Sequence, residues 1–261
     1  MELTNQQTIR LEFRDQLCLL RFNRPEKSNA INRRMIEECH EALDLCLSRG
    51  SKVLVFQGSA EVFCTGADFA ELSQLTNGEQ VTEGARLYSL WRRMTEEAVV
   101  TVSQVRGRAA AGGMGFVGAS DIVIAEPTAS FALTELLFGL FPACVLPFLA
   151  RRVGFQRAHY MTLTTRPVSA EVGMQWGLVD DYGADSDDLL RRHFLRLGRM
   201  SRAAVRRYKL YSSRMYDHIR EWERHALAAS REMFDDEENR RAIAEYAAGG
   251  VFPWESERSA G

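Results

Sequence analysis

The sequence is poor in the features that mark secreted, membrane-spanning or metal-dependent proteins. It has only five cysteines in 261 residues: Cys18, Cys39, Cys46, Cys64 and Cys144. They are odd in number, scattered and never spaced C-x-x-C. That excludes a disulfide framework and points to buried thiols in a reducing, cytoplasmic setting. The five histidines never fall at H-x-x-x-H or H-E-x-x-H spacing, so no metal site is expected. The opening MELTNQQTIRLEF lacks the basic-then-apolar pattern of a signal peptide. No apolar run approaches the roughly 20 residues of a membrane helix; the longest, residues 138–150, is broken by Gly139, Pro142 and Pro147. Lysine and arginine number 33 against 35 aspartate and glutamate, a net charge of −2. Neither nucleic acid nor a membrane surface is therefore an expected partner. There is no P-loop and no G-x-S-x-G elbow.

What is present is a repeated strand–turn–helix pattern followed by a helical tail. Residues 102–121, VSQVRGRAAAGGMGFVGASD, read as a β-branched strand, a turn of small residues, and a helix whose first turn carries almost no side chains. Such a start offers bare backbone N–H groups to a negative oxygen. Residues 56–72, FQGSAEVFCTGADFAEL, look like a partner: a strand, a Gly66 loop and a helix. One N–H from each segment, aimed at one point, makes an oxyanion hole, the arrangement that dominates acyl chemistry.

Along the chain, residues 8–14 and Leu17–Phe22 pattern as a hairpin, followed by a polar loop over 23–30. Asn32 caps an amphipathic helix carrying Met35, Ile36, Cys39, Ala42, Leu43, Cys46 and Leu47, ended by Gly50. Residues 52–57, 101–105 and 121–125 pattern as buried strands, and 129–133 as extended. Residues 76–84 are polar and contain glycine, which reads as a mobile loop before a helix over 86–98. Helices are expected over 145–153, 155–163 and from a Ser169 cap to Trp176. A strand fragment is expected over 177–180, then a charged helical tract over 186–248.

The G-x-G-x-x-G run of residues 113–118 lies too far behind its strand for a dinucleotide fingerprint, so the glycines read as close-packing positions within a helix. Cys64 and Cys144 lack sequence cues for activation and read as packing residues rather than nucleophiles. Glu135, in FALTELLFGL, either caps a helix or sits in an apolar pocket. The second placement raises its pKa and suits proton transfer near neutrality.

Taken in order, these segments resemble the crotonase (enoyl-CoA hydratase/isomerase) superfamily. The markers are Asn23-Arg24-Pro25 with Asn29-Ala30, the FCTGAD run ending at Asp68, the glycines and alanines from Gly107 to Gly113, Phe131 with Glu135 and Pro142, and Trp176-Gly177-Leu178-Val179. The resemblance implies an α/β fold, a crotonase-like spiral of ββα units over residues 1–195 with a C-terminal helical trimerisation region over 196–261. It implies a homotrimer or hexamer, no cofactor, and an oxyanion hole from the N–H groups of Ala67 and Gly112 holding a thioester enolate. Arg24, Lys27 and Ala30 then lie along the pantetheine. Of the two glutamates that family hydratases use, the second falls on Glu135 and the first on Gly115, which has no side chain. The family's C-terminal basic pair falls near Ala248-Gly249-Gly250, so a substrate on an acyl carrier protein is expected in preference to a CoA ester.

Within the superfamily, residues 135–163 resemble the dehydratases of polyketide β-branching. The implied reaction is dehydration of 3-hydroxy-3-methylglutaryl-carrier protein to a 3-methylglutaconyl thioester, with Glu135 serving both proton steps. Asp68 then braces the oxyanion loop or has a direct proton role. Arg86 and Arg92 read as surface cations and as candidates for the substrate's free carboxylate. The alternatives are a conventional enoyl-CoA hydratase/isomerase, a decarboxylase of the same pathway, and a non-catalytic binding protein.

Overall fold

Strand β1 (Ile9–Arg14) alternates buried and more exposed residues and pairs antiparallel with β2 (Leu17–Phe22), Asp15 taking the left-handed backbone of the turn. The computed structural model describes residues 7–250. Helix α1 (Arg33–Ser48) starts where the Asn32 side chain accepts from the Met35 amide at 2.9 Å, and it buries the three-and-four-spaced stripe expected of it. The chain then runs through β3 (Val53–Gln57), β4 (Val62–Cys64), α2 (Phe69–Leu72), α3 (Asn77–Glu96), β5 (Val100–Val105), β6 (Arg108–Ala110), α4 (Gly113–Ala119), β7 (Ile122–Ala125) and β8 (Ser130–Ala132). A 3-10 turn (Glu135–Phe138) leads to α5 (Leu146–Val153), α6 (Phe155–Thr164), β9 (Val168–Ser169), α7 (Ala170–Trp176) and β10 (Asp181–Tyr182). Helices α8 (Ser186–Leu197), α9 (Arg202–Met215), α10 (His218–Glu221), α11 (Glu223–Asp235) and α12 (Glu237–Gly249) complete it.

From β3 to β8 successive strands alternate between two sheets, which produces the spiral. One sheet has six strands in the order β1-β2-β3-β5-β7-β10, parallel except for β1; the other has the order β4-β6-β8-β9, with β9 antiparallel. Strands β3 and β5 are buried along their whole length, as a parallel sheet covered on both faces requires. Phe22, Phe56, Phe63 and Phe116 interlock within the spiral, and Trp91 packs edge-on against Phe116 and Phe148 at 6.0 and 5.8 Å.

Three expectations need correction. Residues 76–84 are not a loop: α3 begins at Asn77, because Thr76 accepts from the Glu79 amide while the Glu79 carboxylate accepts from the Thr76 amide. That reciprocal cap outweighs the weak helix propensity of the glycines there. Residues 177–180 form no strand. Gly177, at φ 76°, ends α7, and the short pairing with β7 is made by β10 instead. The boundary expected after residue 195 falls inside α8, and α11 and α12 pack back on α3 and α2.

Candidate active site

Two segments from different turns of the spiral meet at one cavity wall. Beyond β4, Gly66 adopts φ 94°, and the chain forms a parallel bridge between Ile31 and Ala67. Ile31 donates to the Gly66 carbonyl at 2.7 Å and Asp68 donates to the Ile31 carbonyl at 2.9 Å, which leaves the Ala67 amide between them without an acceptor among the described residues. Beyond β6, Ala111 turns the chain in a left-handed conformation (φ 48°) and donates to the Ala132 carbonyl. Gly112 follows at the mouth of α4, and its amide too has no acceptor among the described residues. The approach is tight. A side chain at Gly66 would come within 2.7 Å of the Ala111 Cβ and 2.9 Å of the Gly112 nitrogen, and one at Gly112 within 3.8 Å of the Ala67 nitrogen. Small residues let the two undonated amides sit side by side.

The loop under Ala67 is braced from below. Arg24 donates through Nη1 to the Ala30 carbonyl at 2.5 Å and through Nη2 to Asp68 Oδ2 at 2.7 Å. Asp68 also caps α2, its Oδ1 accepting from the Glu71 amide. The Asn29 amide group holds the same loop through the Val62 and Phe63 carbonyls.

Glu135 opens the 3-10 turn that follows β8. Its Oε2 is sealed from solvent and has no hydrogen-bond partner among the described residues. Burial raises its pKa to about 7 from an ordinary 4.5, partly opposed by the backbone amides of Glu135 and Thr134. Of the two placements read from the sequence, the apolar pocket holds; the cap position of the turn is Thr134, with no side-chain cap, and Glu135 is the first residue inside it.

Ala67, Gly112 and Glu135 line one cavity of about 720 Å³, together with Asp68, Ala30 and Lys27. Phe69, Phe138 and Tyr246 stack edge to face at 4.9–6.2 Å over one end of it, so α12 of the same chain supplies part of the wall. Arg24 and Arg86 are not in the lining. Arg24 is occupied by the brace. Arg86 points off α3 toward Glu37 and Glu83, at 3.1 and 3.6 Å, so its expected contact with substrate is corrected. Arg92 is likewise turned to Glu96 and Glu223. The cations on the cavity wall are Lys27, Arg33 and Arg108, with Arg33 held by Glu83 at 2.8 Å. Cys64 is buried away from the cavity and Cys144 lines it; burial pushes both thiols up to about 12, which keeps them protonated and unreactive.

The position without a side chain, Gly115, is filled from elsewhere. A Cβ there would lie 2.2–2.4 Å from three ring carbons of Trp91. The indole occupies the space a second carboxylate needs. The sequence analysis did not single out Trp91. The signal available was helical spacing: Gln80, Glu83, Gly84, Leu87 and Trp91 form one face of α3, and all line the cavity.

Residues 12–257 match the family model described as enoyl-CoA hydratase/isomerase. The chain belongs to the enoyl-CoA hydratase/isomerase family. Its resemblance to this hydratase-like lyase family thus extends over nearly the whole sequence. It is 46% identical over 259 residues to the Bacillaene synthase dehydratase PksH of Bacillus subtilis (strain 168), covering 98% of this chain and 100% of the relative. A crystal structure of the polyketide biosynthesis enoyl-CoA hydratase pksH from Bacillus subtilis superposes with a TM-score of 0.89 at 45% identity, over 95% of this chain and 100% of the other. An enoyl-CoA hydratase from Mycobacterium avium shares the family fold, with a TM-score of 0.82 at 24% identity over 96% of this chain and 100% of the other. Among the described residues no helix is long and apolar enough to cross a membrane, and no cluster of metal-ligating side chains is present.

Proposed function

We propose that this family member removes water from 3-hydroxy-3-methylglutaryl-carrier protein to give a 3-methylglutaconyl thioester in polyketide β-branching. The observation that carries the reading is the pairing of one carboxyl, Glu135, whose Oε2 is sealed and has no partner among the described residues, with two undonated amides in a cavity where an indole excludes a second acid. The name of its relative PksH, a dehydratase, supports the direction. The Glu135 carboxylate takes the α-proton. The electrons pass into the thioester carbonyl, whose oxygen accepts from the amides of Ala67 and Gly112, each donor contributing about 2.7–4 kcal/mol when removed in comparable sites. The enolate then re-forms its carbonyl, the α–β double bond closes, and the β-C–O bond breaks. The proton held by Glu135 passes to the departing oxygen, which leaves as water. One acid acting twice requires hydrogen and oxygen to leave from the same face. Lys27 and Ala30 lie along the pantetheine arm, and Arg108, exposed on the cavity wall, is placed to meet its phosphate or the acidic carrier. The exposed Tyr208, Tyr211 and Met215 of α9 support assembly as a homotrimer or hexamer, which light scattering reads directly.

The test is mass spectrometry of the hydroxyacyl carrier protein with and without enzyme. Loss of one water supports the reading. Loss of carbon dioxide, or no change while the CoA ester of a simple enoyl acid is hydrated, overturns it.

A further inference from the structure

The Trp91 ring is 1% exposed, and its Nε1 is buried with no hydrogen-bond partner among the described residues. Buried polar groups are nearly always paired, and an indole N–H can only donate. A ligand atom that accepts would complete the pairing. Phe116 and Phe148 pack edge-on against the ring, which fixes its orientation in the cavity wall. Gly115 lies one helical turn beyond Gly112, on the same face of α4. The ring that fills its side-chain position is therefore a neighbour of the undonated amides. Trp91 Nε1 and Glu135 Oε2 are thus a buried donor and a buried acceptor on residues that line one cavity. A hydroxyl, which accepts one hydrogen bond and donates another, satisfies both; a ketone can accept from the indole but has no proton to give the carboxylate, and an alkene can do neither.

We propose that Trp91 is a positioning residue whose indole N–H donates to the β-hydroxyl oxygen of the acyl chain and turns that group toward Glu135. The inference rests on the dehydration reading above and adds to it the group that selects a β-hydroxyacyl thioester. The indole keeps its proton throughout. It holds the C–O bond on the same face as the α-hydrogen, and it polarises the oxygen as that bond lengthens. The proton that completes water still comes from Glu135.

The test compares two reactions in Trp91→Phe, which keeps most of the ring and its packing. One is dehydration of the hydroxyacyl thioester. The other is solvent exchange of the α-proton in the analogue lacking the β-hydroxyl, which needs only Glu135 and the amides. The proposal expects the ratio of dehydration to exchange to fall at least tenfold. Equal losses in both reactions mean a merely structural role and overturn it. A parallel measurement on the unaltered chain covers the case in which the variant fails to fold. With 15N-labelled tryptophan, one indole N–H resonance should move downfield with a non-reacting hydroxyacyl analogue and not with its deoxy counterpart; the same spectrum with both ligands overturns the proposal. A wild-type enzyme that performs exchange but no dehydration refutes the functional reading itself, a result distinct from either of these.

Discussion

Arg24 and Asp68 are 44 residues apart in sequence, and their side chains meet at 2.7 Å, almost wholly buried, beneath the loop that presents the Ala67 amide. The pair joins the first polar loop of the chain to the start of α2. Removing one member leaves a desolvated charge without its partner, which costs about 3–5 kcal/mol in comparable buried pairs. Arg24→Met is expected to lower stability by about that amount in urea titration. It should also reduce kcat/KM at least tenfold, because the Ala67 amide loses its fixed direction. Unchanged turnover in a folded variant would remove the brace from the catalytic account.

Glu135→Gln keeps the shape of the site and loses the proton carrier. Turnover should fall at least a thousandfold while the circular dichroism spectrum is retained. Stability should move the other way. A carboxyl held near about 7 against an ordinary 4.5 binds its proton more tightly folded than unfolded. That favourable contribution is complete below about 4.5 and is lost as pH rises through about 7. Above neutrality the wild type carries a desolvated carboxylate that the variant lacks. The variant should be the more stable of the two at pH 8, by up to about 3 kcal/mol.

The same shift sets the pH dependence of the reaction. Abstraction of the α-proton needs the carboxylate form, so kcat/KM should fall tenfold per pH unit below about 7. The check is a rate profile with carrier-protein substrate across neutrality. An acid limb near 4.5 would mean that Glu135 is not desolvated when substrate arrives.

Arg86→Ala tests the orientation of α3. Its ion pair with Glu37 is about one-third exposed on both sides, a setting in which such pairs contribute roughly 0–1 kcal/mol. Turnover within threefold of wild type and a Tm lowered by only a few degrees are expected. A large rise in KM would return Arg86 to the substrate.

Much of this site was legible because its chemistry is local in the chain. The small residues around Gly112, the Gly66 loop and the isolated Glu135 each carry their meaning within a few positions. The Asn32 cap and the hairpin were readable for the same reason. The remainder depends on which way a helix is turned. Reading residues 76–84 as loop hid the first two turns of α3, and with them the phase of the helix. Without that phase Arg86 and Trp91 could not be assigned to opposite sides. The contact between Trp91 and Gly115 joins two helices with a strand pair between them, and no local pattern announces it. The left-handed Ala111 backbone is equally silent, because alanine rarely adopts that conformation.

The aromatic roof over the cavity has a consequence for how such enzymes diversify. Phe69 and Phe138 stand close in sequence to the reacting groups, two residues after Ala67 and on the same 3-10 turn as Glu135, whereas Tyr246 comes from α12, which supplies neither amide nor carboxyl. Substitutions in α12 can therefore resize the chamber and alter which acyl chains are admitted, leaving the proton-transfer apparatus intact. One wall of the chamber, the α12 wall, is thus free to vary apart from the chemistry it encloses.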